Sequence, residues 1–209
     1  MLSLIAIFIL SYLAGSIPTS IIISKLFRGI DIRDYGSGNA GGTNTIRVLG
    51  WKFGIAVIIV DVGKGVLATL LISRLRIDPI PFTPDIVQIL AGSCAISGHI
   101  WTIFARFKGG KGVGTGGGML FSLYPSAGFI CLIVFTIILL TVRIVSVSSI
   151  AAAVSLPVVI LVMRKFMNSP ISNELFYFSI LAAILIIYTH RSNIKRLLNG
   201  KEKRFNRIG

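Results

Sequence analysis

Long apolar runs, separated by short basic or glycine-rich stretches, dominate this chain. They cover residues 2–25, 53–73, 86–104, 146–163 and 173–189. Runs of this length predict helices that cross a hydrocarbon core of about 30 Å. One further apolar stretch, residues 112–142, is interrupted by Tyr124-Pro125-Ser126. Proline breaks a helix and disfavours helix at the residue before it, so this tripeptide reads as a turn.

Charge decides how that stretch is counted. The loop 26–52, the loop 105–111 and the tail from His190 are the basic segments. The positive-inside rule places all three on the cytoplasmic side. An even number of crossings must then separate Lys111 from His190, and residues 146–163 and 173–189 supply two. The remaining stretch is read as two more spans, 112–123 and 126–142. The first is shorter than the usual ~17 residues, so it is expected to be tilted, buried by its neighbours or re-entrant. The opening run is too long and uniformly apolar for a cleaved signal and reads as a retained span. The chain is thus expected to be an all-α polytopic membrane protein with about seven transmembrane helices. Its N-terminus lies outside, its C-terminus is cytoplasmic, and residues 1–209 form a single domain. Arg74 and Arg76 fall on the outer side, offset in part by Asp78 and Asp85.

Composition supports this picture and excludes several functions. Mean hydropathy is +0.88, and 21 Lys and Arg face 7 Asp and Glu, for a net charge of +14. Such charge attracts anionic headgroups and anionic solutes. The basic residues flank spans and form no groove with stacking aromatics, which argues against nucleic acid. Cys94 and Cys131 sit in apolar spans without metal-ligand spacing, as packing residues do. The acidic residues do not cluster as hard-cation ligands, so no metal or cofactor is expected.

Three cytoplasmic segments are more polar than topology requires. The first is Y-G-S-G-N-A-G-G-T-N, residues 35–44, followed by Arg47. A helix starting near Thr43 or Asn44 would aim its N–H groups and Arg47 at a bound anion. The second is F-A-R-F-K-G-G-K-G-V-G-T, residues 104–115, preceded by Gly98-His99. Glycine lets backbone N–H groups approach a phosphoryl group, and lysine supplies countercharge. It is not a nucleotide P-loop, because Gly112 rather than Ser or Thr follows Lys111. The third is H-R-S-N-I-K-R-L-L, residues 190–198, then Gly200 and Glu202. In a continuing helix His190 and Asn193 share a face at i,i+3 spacing, and His190 is suited to general-base or donor work. Glu202 suits a cap or a partner for the basic tail. Asp61 and Lys64, also at i,i+3, lie mid-span, where ionisable residues are costly. A mutually neutralised packing pair and a functional pair both suit them, the packing pair slightly better.

These segments, in this order, resemble the bacterial acyl-phosphate:glycerol-3-phosphate acyltransferase family. The resemblance extends to G-S-I-P-T at residues 15–19 and covers nearly the whole chain. Gly42 and Gly114 stand where the family more often has Ala, both small-for-small changes. The resemblance implies transfer of a fatty acyl group from acyl phosphate to the 1-hydroxyl of sn-glycerol 3-phosphate. The products are 1-acylglycerol 3-phosphate (lysophosphatidic acid) and phosphate, in bacterial phospholipid synthesis. It implies an inner-membrane enzyme that meets membrane lipids and both substrates, with its active site at the cytoplasmic face. No obligate protein partner is implied. Carried onto this chain, Lys111 with Gly109, Gly110 and Gly112 takes the acyl-phosphate phosphoryl group, Lys108 being a lesser candidate. Ser37, Asn39, Thr43, Asn44 and Arg47 serve glycerol 3-phosphate and the catalytic centre. His190 and Asn193 orient or deprotonate the attacking hydroxyl, unless a substrate phosphate oxygen takes its proton.

An acyl phosphate is an activated mixed anhydride, which makes a covalent intermediate unnecessary. No Ser-His-Asp or Cys-His arrangement and no H-x-x-x-x-D box is present. Two rival classes fit less well. A phosphate transporter is expected to show repeats and broken helices at mid-membrane. A CDP-dependent phosphatidyltransferase is expected to show clustered aspartates for metal.

Overall fold

A computed structural model describes residues 1–167 and 171–205. It forms two compact units, Met1–Leu123 and Tyr124–Gly209. The described residues are helical with no strands, as a chain that must satisfy its backbone inside a bilayer requires.

The first unit holds α1 (Leu2–Ser16), α2 (Thr19–Arg28), α3 (Gly42–Leu49), α4 (Trp51–Val66), α5 (Pro84–Ile100) and α6 (Val113–Leu123). α1 packs along α5, and small residues allow the close approach. A Cβ on Gly15 would strike the Ala95 backbone, and one on Gly98 would strike the Tyr12 carbonyl. α6 lies against α4 in the same way, with Gly65 on the Thr115 carbonyl and Gly118 on that of Val62. These contacts explain Gly118, and Gly114 lies close to Asp61 Cβ, whereas a Cβ on Gly117 would meet nothing.

The second unit holds α7 (Pro125–Val142), α8 (Val145–Met167), α9 (Asn173–Thr189) and α10 (Arg191–Leu198). α7 packs on α8 and α8 on α9. Much of α7 stays uncovered, including Phe129, Ile133, Ile137 and Leu140, as expected of a lipid-facing helix.

Among the described residues, five segments are long and apolar enough to cross a membrane: Leu2–Arg28, Trp51–Arg74, Pro84–Ala105, Pro125–Val142 and Val145–Met167. A sixth crossing is available from the α9–α10 pair, and α6 is a shorter apolar helix of 11 residues. The all-α, multi-pass reading therefore holds, and the Tyr124-Pro125 break falls between α6 and α7.

The helices depart from the predicted runs in three places. The first run breaks at Ile17-Pro18, where Pro18 has no N–H and Ile17 adopts ψ 112°. The second run continues past α4 through a π-helical turn, Leu67–Leu71. The last run bends by 58° at His190, which ends α9 and starts α10. His190 and Asn193 therefore do not lie on one unbroken helix, although both are buried.

Candidate active site

The loop before α3 is built around one side chain. Asn44 is 1% exposed and donates both amide protons, to the carbonyls of Ile32 at 3.1 Å and Tyr35 at 3.0 Å. Its Oδ1 accepts the Ser37 N–H at 2.7 Å. Gly36 has φ +64° and passes so close to Asn44 Oδ1 that no Cβ would fit. α3 begins at Gly42 with Gly41 as N-cap, not with Thr43 or Asn44. Asn44 is thus turned inward to hold the loop, while Ser37, Asn39, Thr43 and Arg47 are half-buried around it. Thr43 and Arg47, four residues apart on α3, share a face.

The lysine–glycine loop folds back on the end of α5. Arg106 and Phe107 both take left-handed backbone conformations, at φ 57° and 59°, a strained pair that reverses the chain. Gly109 N–H then donates to the Ile100 carbonyl and Gly110 N–H to that of His99, both at 3.0 Å. A Cβ on Gly110 would collide with His99 Nε2 and the Ala40 carbonyl oxygen. Gly112, at φ +81°, turns the chain into α6, so Lys111 sits at a helix N-terminus, where anions are favoured. Lys108 is exposed and Lys111 half-buried.

Arg33 ties the two loops together. It pairs with Asp31 at 2.7 Å and donates to the carbonyls of Ala105 at 3.0 Å and Lys108 at 3.3 Å. The side-chain hydrogen bond from Arg33 holds the Asp31 carboxyl down to about 2, so the clasp stays charged at any physiological pH.

Beneath the loops lies a polar cluster. Lys64 Nζ is 2.7 Å from Asp61 Oδ1 and donates to the Ile17 carbonyl at 2.6 Å, beside the Pro18 break. Thr102 Oγ1 bonds the Ser16 carbonyl across the same break. His99 Nδ1 lies 3.7 Å from Asp61 Oδ1. Asp61, Lys64 and His99, with Thr19, Ser20, Gly109 and Gly110, line a small cavity with room for about one water, partly open to its surroundings. Sequence reasoning leaned towards packing for Asp61–Lys64 and gave His99 no role. The available signals were charge at mid-span and a histidine ten residues before the glycine pair.

In the second unit, His190 is 3% exposed and its Nδ1 lies 2.8 Å from the Ile186 carbonyl oxygen. A donor at Nδ1 makes Nε2 the lone-pair nitrogen of the neutral ring. Glu202 accepts from Asn193 at 2.5 Å and from Arg196 and Ser146 at 2.8 Å each. Burial pushes its carboxyl up, but these three hydrogen bonds outweigh it and leave the group below its ordinary value. Glu202 is thus a partner for the basic tail, as its place in the sequence suggested. Among the described residues no three His, Cys, Asp or Glu side chains gather to hold a metal ion.

A family model described as glycerol-3-phosphate acyltransferase matches residues 5–200. The chain belongs to the glycerol-3-phosphate acyltransferase family. Among curated members of the family, one from Chlorobium phaeobacteroides (strain BS1) is 45% identical, the match covering 98% of this chain and 97% of that protein. One from Chlorobaculum tepidum is 42% identical over the same shares. The fold also matches the crystal structure of PlsY (YgiH), an integral membrane glycerol 3-phosphate acyltransferase, in its glycerol 3-phosphate form. There the TM-score is 0.85 at 37% identity, with 98% of this chain and 96% of that one covered. The lysophosphatidic acid form of the same relative matches with a TM-score of 0.81.

Proposed function

We propose that this chain acylates the 1-hydroxyl of sn-glycerol 3-phosphate with a fatty acyl group from acyl phosphate. The products are 1-acylglycerol 3-phosphate and inorganic phosphate. One observation carries the reading: a relative solved in its glycerol 3-phosphate form shares the fold over nearly the whole chain. The acyl-phosphate donor rests on the chemistry of the loops. Two phosphorylated substrates need two cationic, glycine-rich segments, and the first unit clasps two such segments together through Arg33.

In this reading Lys111 and the N-terminus of α6 after Gly112 neutralise the phosphoryl leaving group, while Gly109 and Gly110, whose own N–H groups bond the end of α5, shape the loop and Lys108 stands at the rim. Arg47, Ser37, Asn39 and Thr43 hold glycerol 3-phosphate, while Asn44 keeps Ser37 and its loop in shape. His190 and Asn193 orient the attacking hydroxyl. Attack on the acyl carbon gives a tetrahedral oxyanion, which collapses as the carbon–phosphate oxygen bond breaks. The hydroxyl proton goes to His190 Nε2 or to a phosphate oxygen of the substrate. Positioning of this kind contributes up to ~7–11 kcal/mol. Residues 1–209 are read as one domain of about seven spans in a bacterial inner membrane, with the site at the cytoplasmic face. No accessory protein, metal or cofactor takes part.

The test is phosphate release from palmitoyl phosphate by the purified protein in detergent. Release that requires glycerol 3-phosphate, yields lysophosphatidic acid and is abolished in Arg47→Ala is the expected result. No turnover by folded protein would sink the proposal and turn attention to solute transport in liposomes.

A further inference from the structure

The turn between the end of α5 and the lysine–glycine loop is built inside out. Its small residues face the protein, with Thr102 2% exposed and Ala105 6%. Its large apolar residues face away: Trp101 is 40% exposed, Ile103 47%, Phe104 61% and Phe107 58%. A loose loop could fold such side chains in, but this backbone is fixed. The Thr102 hydroxyl donates to the Ser16 carbonyl, and the Tyr12 hydroxyl donates to that of Trp101 at 2.6 Å. The Thr102 carbonyl accepts the Phe107 N–H at 2.8 Å, and Arg33 holds the Ala105 carbonyl at 3.0 Å. Phe107 is kept at φ 59°, a conformation that bulky residues rarely adopt and that costs energy. The fold thus holds aromatic rings outside, against both the hydrophobic effect and backbone preference.

The place of the turn says what covers these rings. It follows directly on the apolar segment Pro84–Ala105, so it lies where that span leaves the hydrocarbon. Arg106, exposed, stands between Phe104 and Phe107, and the exposed Lys108 follows. Rings interleaved with cations match the headgroup layer, which offers an apolar boundary on one side and phosphate oxygens at the same level.

Resting on the acyltransferase reading for its consequence, we infer that residues 101–108 dock on the phospholipid headgroup layer and hold the lysine–glycine loop at the depth of the lipid phosphates. Phe104 and Phe107 enter the boundary between headgroups and acyl chains, and Arg106 meets phosphate oxygens. A donor whose chain lies in the bilayer then presents its phosphoryl group level with Lys111. The soluble acceptor gains nothing from this arrangement.

The chain has 2 tryptophans, Trp51 and Trp101, so Trp51→Phe with Trp101→Phe gives a background without tryptophan fluorescence. Phe107→Trp in that background is the reporter, because position 107 lies past the span and the span alone does not carry it into lipid. In phosphatidylcholine proteoliposomes its emission should be blue-shifted. Lipid brominated near the headgroup should quench it more than lipid brominated near the chain end. Water-like emission without quenching, or stronger quenching by the deep label, overturns the docking. Blue-shifted emission that neither lipid quenches means that a second copy of the chain covers the ring, and overturns it equally. The consequence is read in kinetics. Phe104→Ser with Phe107→Ser should raise KM for palmitoyl phosphate in vesicles about tenfold. KM for glycerol 3-phosphate and the melting temperature should stay as in wild type. Equal changes in both KM values, or none in either, would overturn the role in donor supply. The conservative Phe107→Trp reporter carries the test of the surface if the serine variant does not fold. A wild-type protein that makes no lysophosphatidic acid would overturn the acyltransferase reading instead, and the quenching result would still judge the docking.

Discussion

Asn44 shows how one residue can shape a site without facing a substrate. Its amide closes the loop from Ile32 to Ser37 through three hydrogen bonds. Asn44→Ala strands the buried Ile32 carbonyl, at a cost of about 1–3 kcal/mol, and frees the part-buried Tyr35 carbonyl and Ser37 N–H to meet water. Thermal unfolding should show that loss, and activity should fall further because Ser37 loses its anchor. Gly110 is constrained from the other side. In Gly110→Ala the methyl group meets both His99 and a backbone oxygen, so the loop must shift. We expect roughly 1–3 kcal/mol of strain, read as a 10–100-fold drop in kcat/KM with the fold retained. His190 tests the fate of the proton. His190→Ala should lower kcat by about 10²–10⁴-fold if Nε2 is the base, and by less than about tenfold if the substrate phosphate is.

At the scale of elements, the helices and their polar interruptions were readable in the sequence, because hydropathy and proline act locally. The Tyr124-Pro125 turn is an example. The break at Pro18 carried the same signal but lay inside an otherwise uniform apolar run, and only the bonds from Lys64 and Thr102 reveal its use. The cluster under the loops was not readable for another reason. His99 meets Asp61 and Gly110 through packing of separate elements, and no local pattern encodes that meeting. The tail illustrates a third case. Glu202 joins α8 to α10 through Ser146, Asn193 and Arg196. Its carboxyl lies below the ordinary 4.5, so its contribution to stability is complete above that value and is lost as pH falls through the depressed one. Glu202→Gln should therefore cost about 1–3 kcal/mol at pH 7. The gap between the wild-type and variant melting temperatures should close on acidification below about pH 4.5.

For the whole molecule, the short α6 has a consequence for the surrounding lipid. Eleven residues rise only about 16 Å, roughly half of a typical hydrocarbon core. Its glycines hold it against α4, so it cannot lengthen or swing away without losing those contacts. Where α6 crosses the membrane, the adjustment falls on the bilayer, which thins locally or admits headgroups beside the lysine–glycine loop. Thickness mismatch then acts on the loop that α6 starts from. In proteoliposomes of matched headgroup, short-chain phosphatidylcholine should support faster turnover than long-chain lipid. The membrane's own acyl-chain length, which this enzyme class helps to lay down, would set the pace of the first acylation.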